Sequence, residues 1–216
     1  MICGVDEAGK GPVIGPLVVA AVKVKNAKDI ENIGVKDSKQ LTPNKRKELA
    51  EIIKSEFDYA VEIIEAEVVD QYRRRNKLNE LNREAFERLI SKLNPNVAYV
   101  DAADVNEQRF GSQIKNSLTN ENDTDVIAMH KADAKIDVVA AASIIAKETR
   151  EKEIKKIKDE IGDFGSGYPS DEKTIKFLKT FFADNGVWPT GTRKSWKTLE
   201  RIRPVKTLED FGEINE

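Results

Sequence analysis

Among 216 residues the sequence has one cysteine, one histidine, two methionines and two tryptophans. A lone Cys3 excludes an internal disulfide and a cysteine-ligated metal site. Such sparing use of cysteine fits a reducing, cytoplasmic compartment. Long apolar runs are missing, and no charged-then-apolar leader follows Met1. The chain is therefore expected neither to span a membrane nor to be secreted. Internal repeats and low-complexity linkers are also missing, so one large domain, or one domain with a small appendage, is expected. An overall basic excess is lacking as well. The net charge is −2, which by itself argues against a nucleic-acid partner, since phosphate binding needs a basic footprint. The charge is uneven, however. Thr192 to Lys206 carries Arg193, Lys194, Lys197, Arg201, Arg203 and Lys206 against only Glu200, a local basic patch on an acidic chain.

The residues present specify a folded chain. Hydrophobic residues make up 39% and charged residues 34%, enough for a core under a heavily charged surface. Few Cys, Met and His beside many Lys and Glu is a composition found in heat-adapted proteins. Residues 2–9 form a short apolar strand ending in a glycine-bearing turn, and Val13 to Val24 a second strand. Thr42-Pro43 opens a helix, with Thr as N-cap and Pro at the first helical position. Tyr59 to Ile64, Val97 to Val100 and Val126 to Met129 are further strands. Asn79 to Leu93 has Leu81, Ala85, Phe86, Leu89 and Leu93 at helical spacing. Ile136 to Ile161 is a long helix, apolar at first and then charged, and Ser170-Asp171 starts another. The remaining C-terminal stretch is polar and helical. Strands that come first and then alternate with helices predict an α/β fold, a mixed sheet flanked by helices.

Asp6, Asp101 and Asp133 each fall at the end of an apolar strand or just past one. Strand ends in an α/β sheet are where sites form. Grouped carboxylates repel one another and take up protons unless divalent cations neutralise them. Two Mg²⁺ ions would balance four acids, and a pair about 4 Å apart can activate an attacking water and stabilise a leaving oxygen. Alone, Asp101 and Asp133 each read more readily as turn formers or helix caps than as site residues. Asp6-Glu7 is harder to dismiss, because adjacent acids after an apolar strand are costly in a core. Neighbouring strand residues point to opposite faces, so for both acids to reach one site Glu7 is expected to lie already in the turn. The glycines at 9 and 11 permit such a turn.

GVDEAGKGPVIGPLVVA (Gly4 to Ala20) resembles the opening signature of type 2 ribonucleases H, the ribonuclease HII family. The resemblance continues in order through DSKQLT (Asp37 to Thr42), YVDAADV (Tyr99 to Val105), HKADAKIDVVAAASIIAK (His130 to Lys147) and SGYPSD (Ser166 to Asp171). GTRKSW (Gly191 to Trp196) resembles the archaeal-type ending. Glu7 followed by Ala8 fits the type 2 pattern rather than that of the related type 3 enzymes. The resemblance implies a ribonuclease H-like fold with a helical C-terminal segment. It also implies Mg²⁺- or Mn²⁺-dependent cleavage of the RNA strand in RNA–DNA hybrids, with two ions per site. Incision 5′ of ribonucleotides embedded in duplex DNA is implied too, leaving 3′-hydroxyl and 5′-phosphate ends. In the family pattern the four acids fall on Asp6, Glu7, Asp101 and Asp133, with Asp6 bridging both metals and Asp133 on the attacking-water side. Asp137 is assigned to the helix start.

Telling RNA from DNA requires sensing a 2′-hydroxyl. Gly9-Lys10-Gly11 suits this, because glycine lets backbone groups approach a sugar closely. Lys10 stands where the family more often has Arg. Tyr168 resembles the tyrosine that packs on the sugar at the junction. Lys39, Arg193 and Lys194 are candidate phosphate contacts, whereas Arg73-Arg74-Arg75 is expected to be a solvated helix face. His130 is expected to face away from Asp133 and not to act as general base. Near the end of the chain, Leu208 and Phe211 resemble a degraded form of the peptide that binds sliding clamps; the alternative is a terminal helix docked on its own domain. Residues 1–185 are expected to form the catalytic domain, with 186–216 as a helical appendage contributing to the cleft. A monomer is expected. Two other readings stay open: a DNA-directed nuclease or strand-transfer enzyme on the same scaffold, and a non-catalytic hybrid-binding module.

Overall fold

The computed structural model describes residues 1–35, 41–119 and 123–203. A five-stranded sheet runs through its centre: β1 (Ile2–Ala8), β2 (Leu17–Val24), β3 (Asp58–Ile64), β4 (Val97–Asp101) and β5 (Asp125–Met129), in the order β3-β2-β1-β4-β5. The first three strands are antiparallel, while β4 and β5 run parallel to β1. The helices are α1 (Ala27–Glu31), α2 (Pro43–Glu56), α3 (Ala66–Arg74), α4 (Leu78–Leu93), α5 (Glu107–Ser117), α6 (Asp137–Ile161), α7 (Glu172–Asn185) and α8 (Lys197–Ile202). A short 3₁₀ turn covers Ala132–Ala134. Thr42 caps α2 as expected, its hydroxyl accepting from the Lys45 N–H, with Pro43 at the first position.

Both faces of the sheet are covered, which is why β2 (LVVAAVKV) is almost continuously apolar instead of alternating. Cys3, Val5, Val19 and Ala21 pack on the side of Leu81, Ala85, Phe86 and Leu89 of α4. Val18, Ala20 and Val22 pack on the side of Val138 to Ala146 of α6. The first half of α6 is small and apolar because it lies directly on β1. A Cβ on Gly4 would sit 2.3 Å from the Val138 carbonyl, so only glycine admits the helix at that distance. From there α6 runs alongside β1 in the same direction: Val138 meets Gly4, Ser143 meets Asp6 and Arg150 meets Gly9.

The structure departs from the sequence-based expectation in three places. The second strand starts at Leu17 and not Val13, because Gly15 (φ +102°) and Pro16 break the extension. Val13 instead bonds Gly167 and Arg193 through its backbone, and Ile14 bridges to Thr192. The short helices α1 and α5 are not anticipated by the sequence reading. In α5 only Phe110 and Ile114 face the core, too few apolar positions for a period to emerge from sequence. The polar C-terminal stretch does contain α8, and Trp196, Leu199 and Ile202 join the core on the α4 side.

Candidate active site

Three of the four predicted acids meet where β1 and β4 part. One carboxylate oxygen from each of Asp6, Glu7 and Asp101 lies within 4.8 Å of the other two. The β1–β4 ladder ends at Val5↔Val100, which sets Asp6 and Asp101 side by side just beyond the last pair. Glu7 is not in a turn, contrary to expectation. It is paired with Val19, and β1 continues to Ala8. The pleat therefore sends Asp6 toward α6, where Ser143 favours its charged form, and Glu7 toward α4, where Asn82 does the same. The two still meet because β4 no longer flanks β1 at this point, and the longer glutamate side chain can reach round the open edge. Asp133 stands on the 3₁₀ turn, buried, outside this group of three. Its neighbour Ala132 donates its N–H to Asp101 Oδ1 at 2.7 Å, tying the turn to the cluster.

Burial makes this concentration of charge costly. It pushes the Asp6 carboxyl well above the usual range, with the Glu7 and Asp101 charges adding to the effect and the Ser143 side chain and the Glu7 backbone N–H opposing it. Glu7 is raised to about 7, mainly by burial and also by Asp101, while Lys10 pulls it down. Glu7 Oε2 is buried and has no hydrogen-bond partner among the described residues. An all-oxygen donor set with an unsatisfied buried oxygen fits a hard divalent cation.

The Gly9-Lys10-Gly11 loop borders the cluster and is fixed from behind. Arg193 is fully buried, and its guanidinium donates to the carbonyls of Gly9 (2.6 Å), Lys10 (3.0 Å) and Gly15 (2.9 Å). Trp196 Nε1 donates to the Gly11 carbonyl at 3.0 Å. With all three carbonyls drawn inward, the loop N–H groups are left without acceptors among the described residues. Gly9 has φ +92°, and a Cβ there would clash with the Pro16 carbonyl and with Arg150, so this turn requires glycine. Lys10 reaches over Asn79 Oδ1 (3.0 Å) and the Ala103 carbonyl (3.1 Å). Tyr168 packs beside Gly11 and stacks on the Arg150 guanidinium, with 39% of its surface exposed. The glycine loop, Arg150 and Tyr168, together with Arg46, Lys147 and Glu151, line a cleft of about 440 Å³ beginning at Glu7.

Arg193 is therefore not a surface cation. The signal for a basic patch was correct in composition, but this residue's donors are spent on the loop, and burial lowers its pKa to about 9. Lys194 is exposed, with its N–H on Asp70. Asp70 also accepts from the backbone and hydroxyl of Ser195, anchoring the segment to α3. Arg73 is not simply solvated: it stacks on Trp196 at 4.4 Å. His130 sits past β5, with its ring on the Val105 carbonyl and its N–H on Glu107. Asp137 is the first residue of α6, as expected. Lys39, Leu208 and Phe211 lie outside the described residues. Sequence reading missed Asn82, Ser143 and Arg150. The available signal was a polar residue at a core position of an otherwise apolar helix face.

Comparison with known proteins agrees with this geometry. The family model described as Ribonuclease HII matches residues 3–199. A ribonuclease HII of Pyrococcus abyssi is 45% identical over 97% of this chain and 96% of its own length. Among solved structures, the ribonuclease HII in the PCNA complex from Archaeoglobus fulgidus superposes with a TM-score of 0.87 at 43% identity, covering 98% of this chain and 100% of that one. Ribonuclease H2 of Pyrococcus horikoshii gives 0.86 at 44% identity, covering 98% and 99%. Fold and sequence agree with these relatives over nearly the whole chain, and the chain belongs to the ribonuclease HII family.

Proposed function

We propose that this ribonuclease H, an endonuclease acting on RNA–DNA hybrids, also incises duplex DNA on the 5′ side of an embedded ribonucleotide. Asp6, Glu7, Asp101 and Asp133 would hold divalent cations, and the products would carry 3′-hydroxyl and 5′-phosphate ends. The observation that carries this reading is the meeting of three carboxylates within 4.8 Å at the mouth of a cleft lined by cationic side chains. A hybrid-binding module would have no use for such a costly cluster. When bound, two Mg²⁺ or Mn²⁺ ions supply water activation and leaving-group stabilisation. The chain's own residues select the substrate. The N–H groups of Gly9, Lys10 and Gly11, without acceptors among the described residues, suit a 2′-hydroxyl and its neighbouring phosphate. Arg150 and Arg193 place two buried positive charges behind that loop, favouring an anion in front of it. Tyr168 offers its face to the junction sugar. Lys194, and Lys39 outside the described residues, would contact phosphates at the rim. Residues 186–216 would act as an appendage to the 1–185 catalytic unit, with Arg193 and Trp196 bracing the glycine loop at the edge of the cleft.

End-mapping on three duplexes tests this. With Mg²⁺ or Mn²⁺, a duplex bearing one ribonucleotide should be cut once, 5′ of that residue, an RNA–DNA hybrid at several positions, and all-DNA duplex not at all. Cutting of the all-DNA duplex would favour a DNA-directed nuclease, and no cutting of any duplex would favour a binding module.

We also propose a sliding clamp as partner through Leu208 and Phe211. The Archaeoglobus fulgidus relative solved as a complex with PCNA supports this. A chain ending at Val205 should keep full cleavage and melting temperature yet fail to retain clamp in a pull-down. A lower melting temperature, with no clamp bound by the full chain, would make the segment a docked structural helix instead. No helix among the described residues is long and apolar enough to cross a membrane.

A further inference from the structure

We infer that Asn82 is a positioning residue for the metal site, holding the Glu7 carboxylate from the α4 side of the sheet. The inference rests on the reading of Glu7 as a metal ligand given above. Asn82 occupies a core position: Leu81, Ala85, Phe86 and Leu89 around it on α4 are all buried. It is itself fully buried, and neither its Nδ2 nor its Oδ1 has a hydrogen-bond partner of good geometry. A buried amide left unpaired costs on the order of 1–3 kcal/mol, and an apolar residue of similar volume would avoid that cost. Glu7 Oε2 is likewise buried and without a hydrogen-bond partner among the described residues.

The strand pleat explains why the two belong together. Asp6 and Asp101 approach the site on the α6 face, whereas Glu7 leaves β1 toward α4 and must bend round the strand edge to join them. A flexible carboxylate entering from the far face needs a donor on that face to fix its angle. Asn82 is placed for this. One turn earlier on the same helix, Asn79 holds Lys10, the cation nearest in influence to Glu7. The i, i+3 pair thus orients both charges at the cleft mouth from one helix face. The Asn82 amide would donate to Oε2 while the opposite carboxylate edge faces the cation. Groups that orient metal ligands in this way commonly alter metal affinity 10–100-fold when removed.

The test uses the full chain and Mn²⁺ alone, followed by calorimetry. Asn82→Leu conserves volume, and in EDTA its melting temperature should equal or exceed that of wild type. Its Mn²⁺ affinity should fall at least tenfold. In cleavage at saturating metal, kcat should drop while KM for the duplex stays within twofold. Asn82→Ala gives the same comparison should the leucine overpack. If either folded variant binds Mn²⁺ within twofold of wild type, Asn82 is a packing residue and the inference fails. If wild type itself binds no Mn²⁺, the metal-site reading fails first, and this inference with it.

Discussion

Asp6 and Glu7 are covalent neighbours that reach one site from opposite faces of a sheet, and this shapes how each responds to pH. Glu7 is raised to about 7 from the ordinary 4.5, chiefly by burial. Between those values the folded chain keeps a proton that the unfolded chain has released. The contribution to stability is therefore full below about 4.5 and is lost as pH rises through 7. Glu7→Gln mimics the protonated form at every pH. In EDTA, the variant should melt with wild type near pH 4.5 and above it at pH 8. Saturating Mg²⁺ should reverse the order at pH 8, because only wild type keeps the full ligand set. A difference in melting temperature that does not vary with pH would show that Glu7 is not desolvated as described. The identity of these acids was legible in the sequence, since adjacent carboxylates after an apolar strand have few structural uses. Their geometry was not. The expectation that Glu7 must lie in a turn followed from pleat alternation, and it failed because β4 ends early enough to open the edge.

The glycine loop, α6 and the Arg193 segment form a second scale of organisation. The loop's carbonyls are held by Arg193 and Trp196, some 180 residues away in sequence, while its N–H groups have no acceptor among the described residues. Arg193→Ala would strand three buried carbonyls and remove the stacking on Trp196 at 5.0 Å. The cost should be about 3 kcal/mol or more. It should appear as a lower melting temperature together with reduced preference for ribonucleotide over deoxynucleotide at the cut site. If discrimination falls with the melting temperature unchanged, Arg193 contacts substrate after all. This role was not legible from composition, which registers a positive charge but not whether its donors face solvent or backbone. The long, strongly patterned elements were legible: α6 was expected over 136–161 and is Asp137–Ile161, and α4 was expected over 79–93 and is Leu78–Leu93. Short elements such as α1 and α5 depend on tertiary packing and were not.

Over the whole molecule, two helical layers cover a mixed sheet, and the site opens where neither layer nor β4 closes over the end of β1. The net charge of −2 conceals this arrangement, because acids gather at one point and cations line the cleft beside them. The mixed sheet with flanking helices followed from the order of strands and helices along the chain. The two-faced approach of the acids could come only from register. We propose that these carboxylates form the divalent-metal site on which cleavage depends. Mn²⁺ calorimetry on wild type and Asp101→Asn, paired with melting in EDTA and with cleavage of a single-ribonucleotide duplex, tests it most directly. Wild type should bind the ion and melt higher in its presence. Asp101→Asn should stay folded in EDTA, lose most of the binding and all detectable cleavage. Equal Mn²⁺ affinity in the two proteins, or cleavage by wild type that persists in EDTA, would contradict the account.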